Sequence, residues 1–147
     1  MSVEDNKELV RFVTEEGLNK GNLDFVDRAF APEYHAHSPG LSLPRGSEAF
    51  RRAVALWRSA FPDFHVTIED MVGEGDMVVR RFTTTGTHRG SLMGIPPTGQ
   101  RFSVSGADVH RVVDGRVVES WLSDDVPRIL MEIGILVREA AAPVPSA

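Results

Sequence analysis

Apolar side chains recur three and four positions apart over residues 2–18, with Leu9, Phe12, Val13 and Gly17 on one face. This period predicts an amphipathic helix. Ser2 followed three residues later by Asp5 resembles an N-terminal capping pattern for it. Lys20-Gly21-Asn22 breaks the run. A second, short helix carries Phe25, Val26, Ala29 and Phe30 on one face. Pro32 ends it, because a residue before proline avoids the helical region. Residues 33–46 hold Tyr34, His35, His37 and several glycine or proline breakers, with little periodicity. A third helix starts at Ser47, read as its cap, and places Phe50, Val54, Trp57 and Phe61 on one stripe until Pro62 stops it.

At Phe64 the period changes to two. Residues 65–68 form one strand, Gly73-Glu74-Gly75-Asp76 a turn, and residues 77–86 a long strand with three consecutive threonines. The loop 90–99 leads to a strand over 101–113. Asp114-Gly115 is the strongest hairpin signal in the chain, with the last strand at 116–123 behind it and a final helix over 126–140. Helices first, then consecutive antiparallel strands, then one helix predict an α+β domain with helices packed on one face of a curved sheet. A cavity between the two layers is where a small molecule would bind. Residues 1–139 read as a single domain, and the tail 140–147 (AAAPVPSA) reads as disordered.

Composition narrows the function. The chain has 147 residues, and 16 Lys+Arg against 21 Asp+Glu give a net charge of −5. A chain of this size buries roughly 68–70% of its unfolded surface and needs no metal or disulfide staple. The absence of cysteine excludes thiolate metal sites and a cysteine nucleophile. No basic face for nucleic acid is evident, and no apolar run approaches the roughly 18 residues of a membrane span. The acidic, polar N-terminus is unlike a signal peptide, so a cytoplasmic location is expected.

Chemistry concentrates around the Asp114-Gly115 turn. If these are the two central residues of a tight turn, the pairs run Val112–Val117, His110–Glu119, Asp108–Trp121 and Gly106–Ser123. Asp108, His110, Glu119 and Trp121 then share one face with Asp125 at its end, and Val109, Ser120 and Leu122 take the other. A single bulge would reverse that assignment beyond it. Carboxylates, an imidazole and an indole together suit proton transfer on an aromatic or enolisable substrate, because a carboxylate desolvated beside an aromatic wall is pushed toward a general base's working range. The same residues also fit a cross-strand ion pair on a solvated face, and which face the helices cover decides between the two.

Asp124 and Asp125 precede Val126-Pro127, a helix start that favours an aspartate cap, so one of them caps and Asp125 is expected to be catalytic. His35 and His37 could join Asp125 or Asp108 at a metal, but nothing in the spacing enforces one, and histidines hydrogen-bonding at a pocket mouth are expected instead. His88 reads as a loop or surface residue. Residues 94–99 are no phosphate loop, since prolines supply no N–H donors; Leu92, Met93 and Ile95 beside them could line a pocket entrance. Trp57 and Phe61 read as helix core.

Taken together, Asn19-Lys20-Gly21-Asn22, Phe30-Ala31-Pro32-Glu33-Tyr34 with His37, Ala60-Phe61-Pro62-Asp63, Gly86-Thr87-His88, Gly94-Ile95-Pro96-Pro97-Thr98-Gly99 and Asp114-Gly115-Arg116-Val117-Val118-Glu119 with Trp121, Asp125 and Gly134 resemble the SnoaL-like polyketide cyclases of the nuclear-transport-factor-like superfamily. The resemblance implies a cone-like α+β barrel with a deep pocket and an intramolecular aldol ring closure without metal or cofactor. It further implies Asp125 as general acid/base and His37 as a pocket histidine. Asp108 or His110 takes the polar position of the penultimate strand. Trp121, Tyr34, Glu119 and Met93 complete the expected substrate contacts. Related dehydratases, isomerases, epoxide hydrolases and non-catalytic binding domains share the fold, which does not fix the reaction. A homodimer through the sheet is also expected, since Val109, Val118 and Leu122 would stand uncovered.

Overall fold

Ser2 and Asp5 exchange hydrogen bonds of 3.1 Å, each side chain accepting from the other's backbone N–H. This capping box starts α1 (Val3–Phe12). The computed structural model describes residues 2–136. After α1 the chain widens into a π-helical segment (Val13–Asn19) and continues through α2 (Val26–Ala29), β1 (Phe30–His37) and α3 (Ser47–Ala60). Four further strands and a helix follow: β2 (His65–Glu74), β3 (Met77–Thr87), β4 (Arg101–Val113), β5 (Arg116–Trp121) and α4 (Val126–Glu132). The last helix ends at Glu132, well short of the expected residue 140, where Gly134 (φ 86°) turns the chain; residues 137–147, with the expected tail, lie outside the described residues.

The first helix buries Val13 and Gly17 of the expected stripe, with Leu9 packed against the core, but not Phe12. Asn6, Val10, Val13, Thr14 and Gly17 face inward, while Phe12 is 46% exposed and meets Phe25 edge-on. The inward face is partly polar because it must serve an arginine on the sheet, so an apolar period alone misplaces it. Ser47 is no cap: Gly46 takes that position, and the Ser47 hydroxyl donates to Asp27 at 2.7 Å. The stretch expected to be irregular after Pro32 begins as β1. Pro32 is tolerated there because β1 is an edge strand, where a missing N–H need not break a ladder.

The five strands form one sheet in the order β1-β5-β4-β3-β2. All neighbours are antiparallel except β1 and β5. The helices lie on one side, with α1 against β2 and β3, α3 against β1, and α4 against β4. Two apolar clusters fill the space between the layers, one around Phe25, Phe30 and Val117, the other around Phe61, Phe102 and Ile133. This is the expected cone-like α+β architecture. Among the described residues no helix is long and apolar enough to cross a membrane.

One irregularity determines what the sheet presents inward. Asp114 (φ 51°) and Gly115 (φ 73°) are both left-handed, as a two-residue hairpin turn requires. Val113 pairs with Arg116 and Val112 with Val117, as expected. The register then shifts: Arg111 pairs with Glu119, His110 with Ser120 and Val109 with Trp121. Val118 is the extra residue of a β-bulge. Beyond it every β5 side chain changes face, so the expected pairs His110–Glu119 and Asp108–Trp121 do not form. Ser120 is fully buried beside His110, whereas Glu119 and Trp121 point away from the helices. Leu122, expected outside, lines the interior.

Candidate active site

Between sheet and helices lies a cavity that opens to solvent at its mouth. Val10, Val13, Phe50, Trp57, Phe64 and Phe82 supply much of its apolar wall. Trp57, expected to be core, therefore serves both roles. The polar groups come from the middle of the sheet and from the end of β5.

Arg80 projects inward from β3, on which Val78, Phe82 and Thr84 occupy the other inward positions. It pairs with the Asp108 carboxylate through Nη2 and donates to the Thr14 hydroxyl at 2.7 Å through Nη1. Its guanidinium lies 4.7 Å from the Phe82 ring centroid. The second Asp108 oxygen accepts from the Ser123 N–H at 2.7 Å. Both members of the ion pair are buried, so each depends on the other and on these hydrogen bonds.

His110 stands next inward from Asp108 on β4. Its Nδ1 is 2.7 Å from the Ser120 hydroxyl, and its Nε2 is buried without a protein partner among the described residues. Burial, assisted by the Arg80 charge, pushes its pKa down to about 4. The imidazole is therefore neutral near pH 7 and can offer Nε2 to a ligand oxygen. Tyr34 also lines the cavity, and burial pushes its phenol up to about 12.

The two aspartates at the end of β5 have separated tasks. Asp125 is exposed at the cavity rim and caps α4, accepting from the Arg128 N–H at 3.2 Å. Asp124 is half-buried in the cavity wall, takes a hydrogen bond from the Ser38 hydroxyl, and lies 3.4 Å from the Gly40 N–H. Burial raises its pKa above the ordinary carboxylate value. The straight register put Asp125, and not Asp124, on the functional face; in the structure both line the cavity, Asp124 in its wall and Asp125 at its rim.

Of the other expected site residues, Glu119, Trp121 and His37 stand on the outer face, away from the cavity. His37 Nε2 is 2.6 Å from Glu119 Oε2, and its ring stacks on Trp121. Glu119, rather than Asp125 or Asp108, is thus the carboxylate near the histidine pair. Met93 is 51% exposed with φ 47°, and residues 90–99 do not line the cavity. His88, expected near the surface, is fully buried and its Nδ1 accepts from the Thr98 N–H at 3.1 Å. Sequence reasoning missed Arg80, Thr14, Ser120 and Ser123. Arg80 carried a usable signal, as a charge at one inward position of an otherwise apolar strand face.

Known proteins share this frame. Residues 7–133 match the model of the SnoaL-like polyketide cyclases. The chain is 34% identical over 116 residues to the aklanonic acid methyl ester cyclase DnrD of Streptomyces peucetius, covering 75% of this chain and 77% of that one. It is 30% identical over 119 residues to the nogalonic acid methyl ester cyclase of Streptomyces nogalater, covering 80% and 89%. The solved structure of TsrD from Streptomyces laurentii superposes with a TM-score of 0.81 at 31% identity, covering 92% of this chain and 99% of that one. The layered fold, the enclosed pocket and these matches agree: the chain belongs to the SnoaL-like polyketide cyclase family and is an enzyme.

Proposed function

We propose that the protein closes a ring by an intramolecular aldol-type reaction on a polyketide-like or other small hydrophobic carbonyl substrate, without a cofactor. The observation that carries this reading is a single apolar cavity holding a half-buried carboxylate with a raised pKa and a neutral imidazole whose Nε2 is free. The Asp124 carboxylate takes a proton from the carbon next to a substrate carbonyl. His110 Nε2–H hydrogen-bonds the enolate oxygen that forms. The enolate carbon attacks a second carbonyl of the same molecule, one carbon–carbon bond forms, and protonated Asp124 returns the proton to the new alkoxide. The apolar walls hold the substrate folded, which lowers the entropic part of the barrier. Arg80 and Asp108 fix the polar end of the pocket. Asp125, to which the family resemblance points, serves here as the cap of α4.

Hydrogen–deuterium exchange tests this without knowledge of the natural substrate. The protein is incubated in D2O with aromatic β-keto esters, and loss of the C–H signal is followed by NMR. Exchange is expected for the wild type and Asp125→Asn and lost in Asp124→Asn. Loss in Asp125→Asn alone would transfer the proton to that residue. No exchange by a folded protein that still binds these compounds would overturn the proton-abstraction reading.

A further inference from the structure

The outer face of the sheet carries a cluster that the cavity chemistry does not use. His35 and His37 are two residues apart on the edge strand β1, so both imidazoles project to the same side. The parallel register sets Glu119 beside His35 and Trp121 beside His37. The bulge at Val118 is what turns Glu119 outward to meet them. One ligand atom from each of His35, His37 and Glu119 lies within 4.8 Å of the other two. The imidazole rings are 3.9 Å apart, and all three residues are half-buried. Trp121 lies nearly parallel to the His37 ring, at 5.4 Å and 10°, and holds its orientation.

An ion pair between His37 and Glu119 accounts for two of these residues. It does not account for His35, whose imidazole converges on the same point. Two imidazole nitrogens and one carboxylate oxygen form the donor set of a borderline divalent metal such as zinc, cobalt or nickel. One carboxylate is too few hard oxygen donors for calcium or magnesium. We propose that His35, His37 and Glu119 bind one divalent transition-metal ion of the zinc type on the outer face, with water completing its coordination. Such an ion clamps β1 to β5, where the parallel ladder shifts register between Phe30 and His35. It faces away from the cavity and takes no part in the ring closure, so the proposal stands or falls independently of the reaction.

The test is zinc titration of the full chain, free of any histidine tag, by calorimetry, with thermal melting alongside. One zinc per chain is expected, with a rise in melting temperature as zinc exceeds its dissociation constant. His35→Ala removes a half-exposed side chain that makes no hydrogen bond in the structure, and it should fold normally. That variant and Glu119→Gln should each bind zinc on the order of tenfold more weakly or worse. Cobalt(II) should give a visible spectrum that His35→Ala abolishes. Failure to bind zinc, undiminished binding by His35→Ala, or one zinc per two chains would overturn the site.

Discussion

Acidification should destabilise the protein through His110 more than through any exposed histidine. The unfolded imidazole has the ordinary pKa of 6.5, whereas in the folded protein burial and then Arg80 bring it to about 4, with Asp108 pulling weakly upward. Tyr34 and Ser120, which also face it, are uncharged at these pH values. Below pH 6.5 the unfolded chain therefore binds a proton that the folded chain refuses. Stability is unaffected by this group above that pH, falls as pH drops toward 4, and falls no further below it. A separation of about 2.5 pKa units corresponds to about 3 kcal/mol in full and about 2 kcal/mol by pH 5. For a chain of this length that is about 6 °C in melting temperature. A single pH curve sums many contributions, so the informative quantity is a difference. His110→Asn keeps a polar partner for Ser120 and does not titrate. The gap in melting temperature between wild type and His110→Asn should move by about 6 °C in the variant's favour between pH 7.5 and pH 5. Parallel curves would mean that the imidazole is not held neutral by burial, and the role assigned to its Nε2 would lose its basis.

Asp108→Asn leaves Arg80 buried without a countercharge and should cost about 3–5 kcal/mol in urea denaturation, most of it recovered when Arg80→Met is added; a loss below about 1 kcal/mol would show that water reaches the pair. Gly90 packs so closely on α3 that an added Cβ would lie 1.9 Å from the Ser59 carbonyl oxygen, so Gly90→Ala should lower stability by about 1–3 kcal/mol, read by thermal melting.

Much of this architecture is legible in the sequence where local rules and tertiary demands coincide. The Asp114-Gly115 turn, the α3 stripe and the switch of period at Phe64 are each dictated by a few adjacent residues. β1 was hidden because Pro32 and the nearby breakers suppress any strand signal, and its pairing partner lies more than eighty residues away. The bulge was hidden for another reason. Val117 and Val118 are equally apolar, so no change in polarity marks the residue at which the phase shifts, and a straight extrapolation from a correct turn assigned Glu119 and Trp121 to the wrong side. Asp124 and Asp125 both line the cavity and both satisfy the statistics of a helix cap, so the sequence pattern alone does not choose between them. Arg80 was overlooked because its partners Thr14 and Asp108 are distant in sequence, and charge on a strand reads as exposure unless the strand's inward face is already known.

The extra residue at Val118 also bears on how such an enzyme acquires new chemistry. Point substitution changes one wall position at a time. Loss of one codon here would leave the hairpin turn intact and restore the uninterrupted ladder. It would keep Glu119 opposite Arg111 and Ser120 opposite His110, so the faces would not change; pairing Val118 itself with Arg111 would instead carry Glu119 and Trp121 inward and dismantle the outward histidine–glutamate cluster. Two differently equipped interiors are thus separated by one step of register in β5, and a change that lets the strand slip by that step reaches at once what wall substitutions reach only in several.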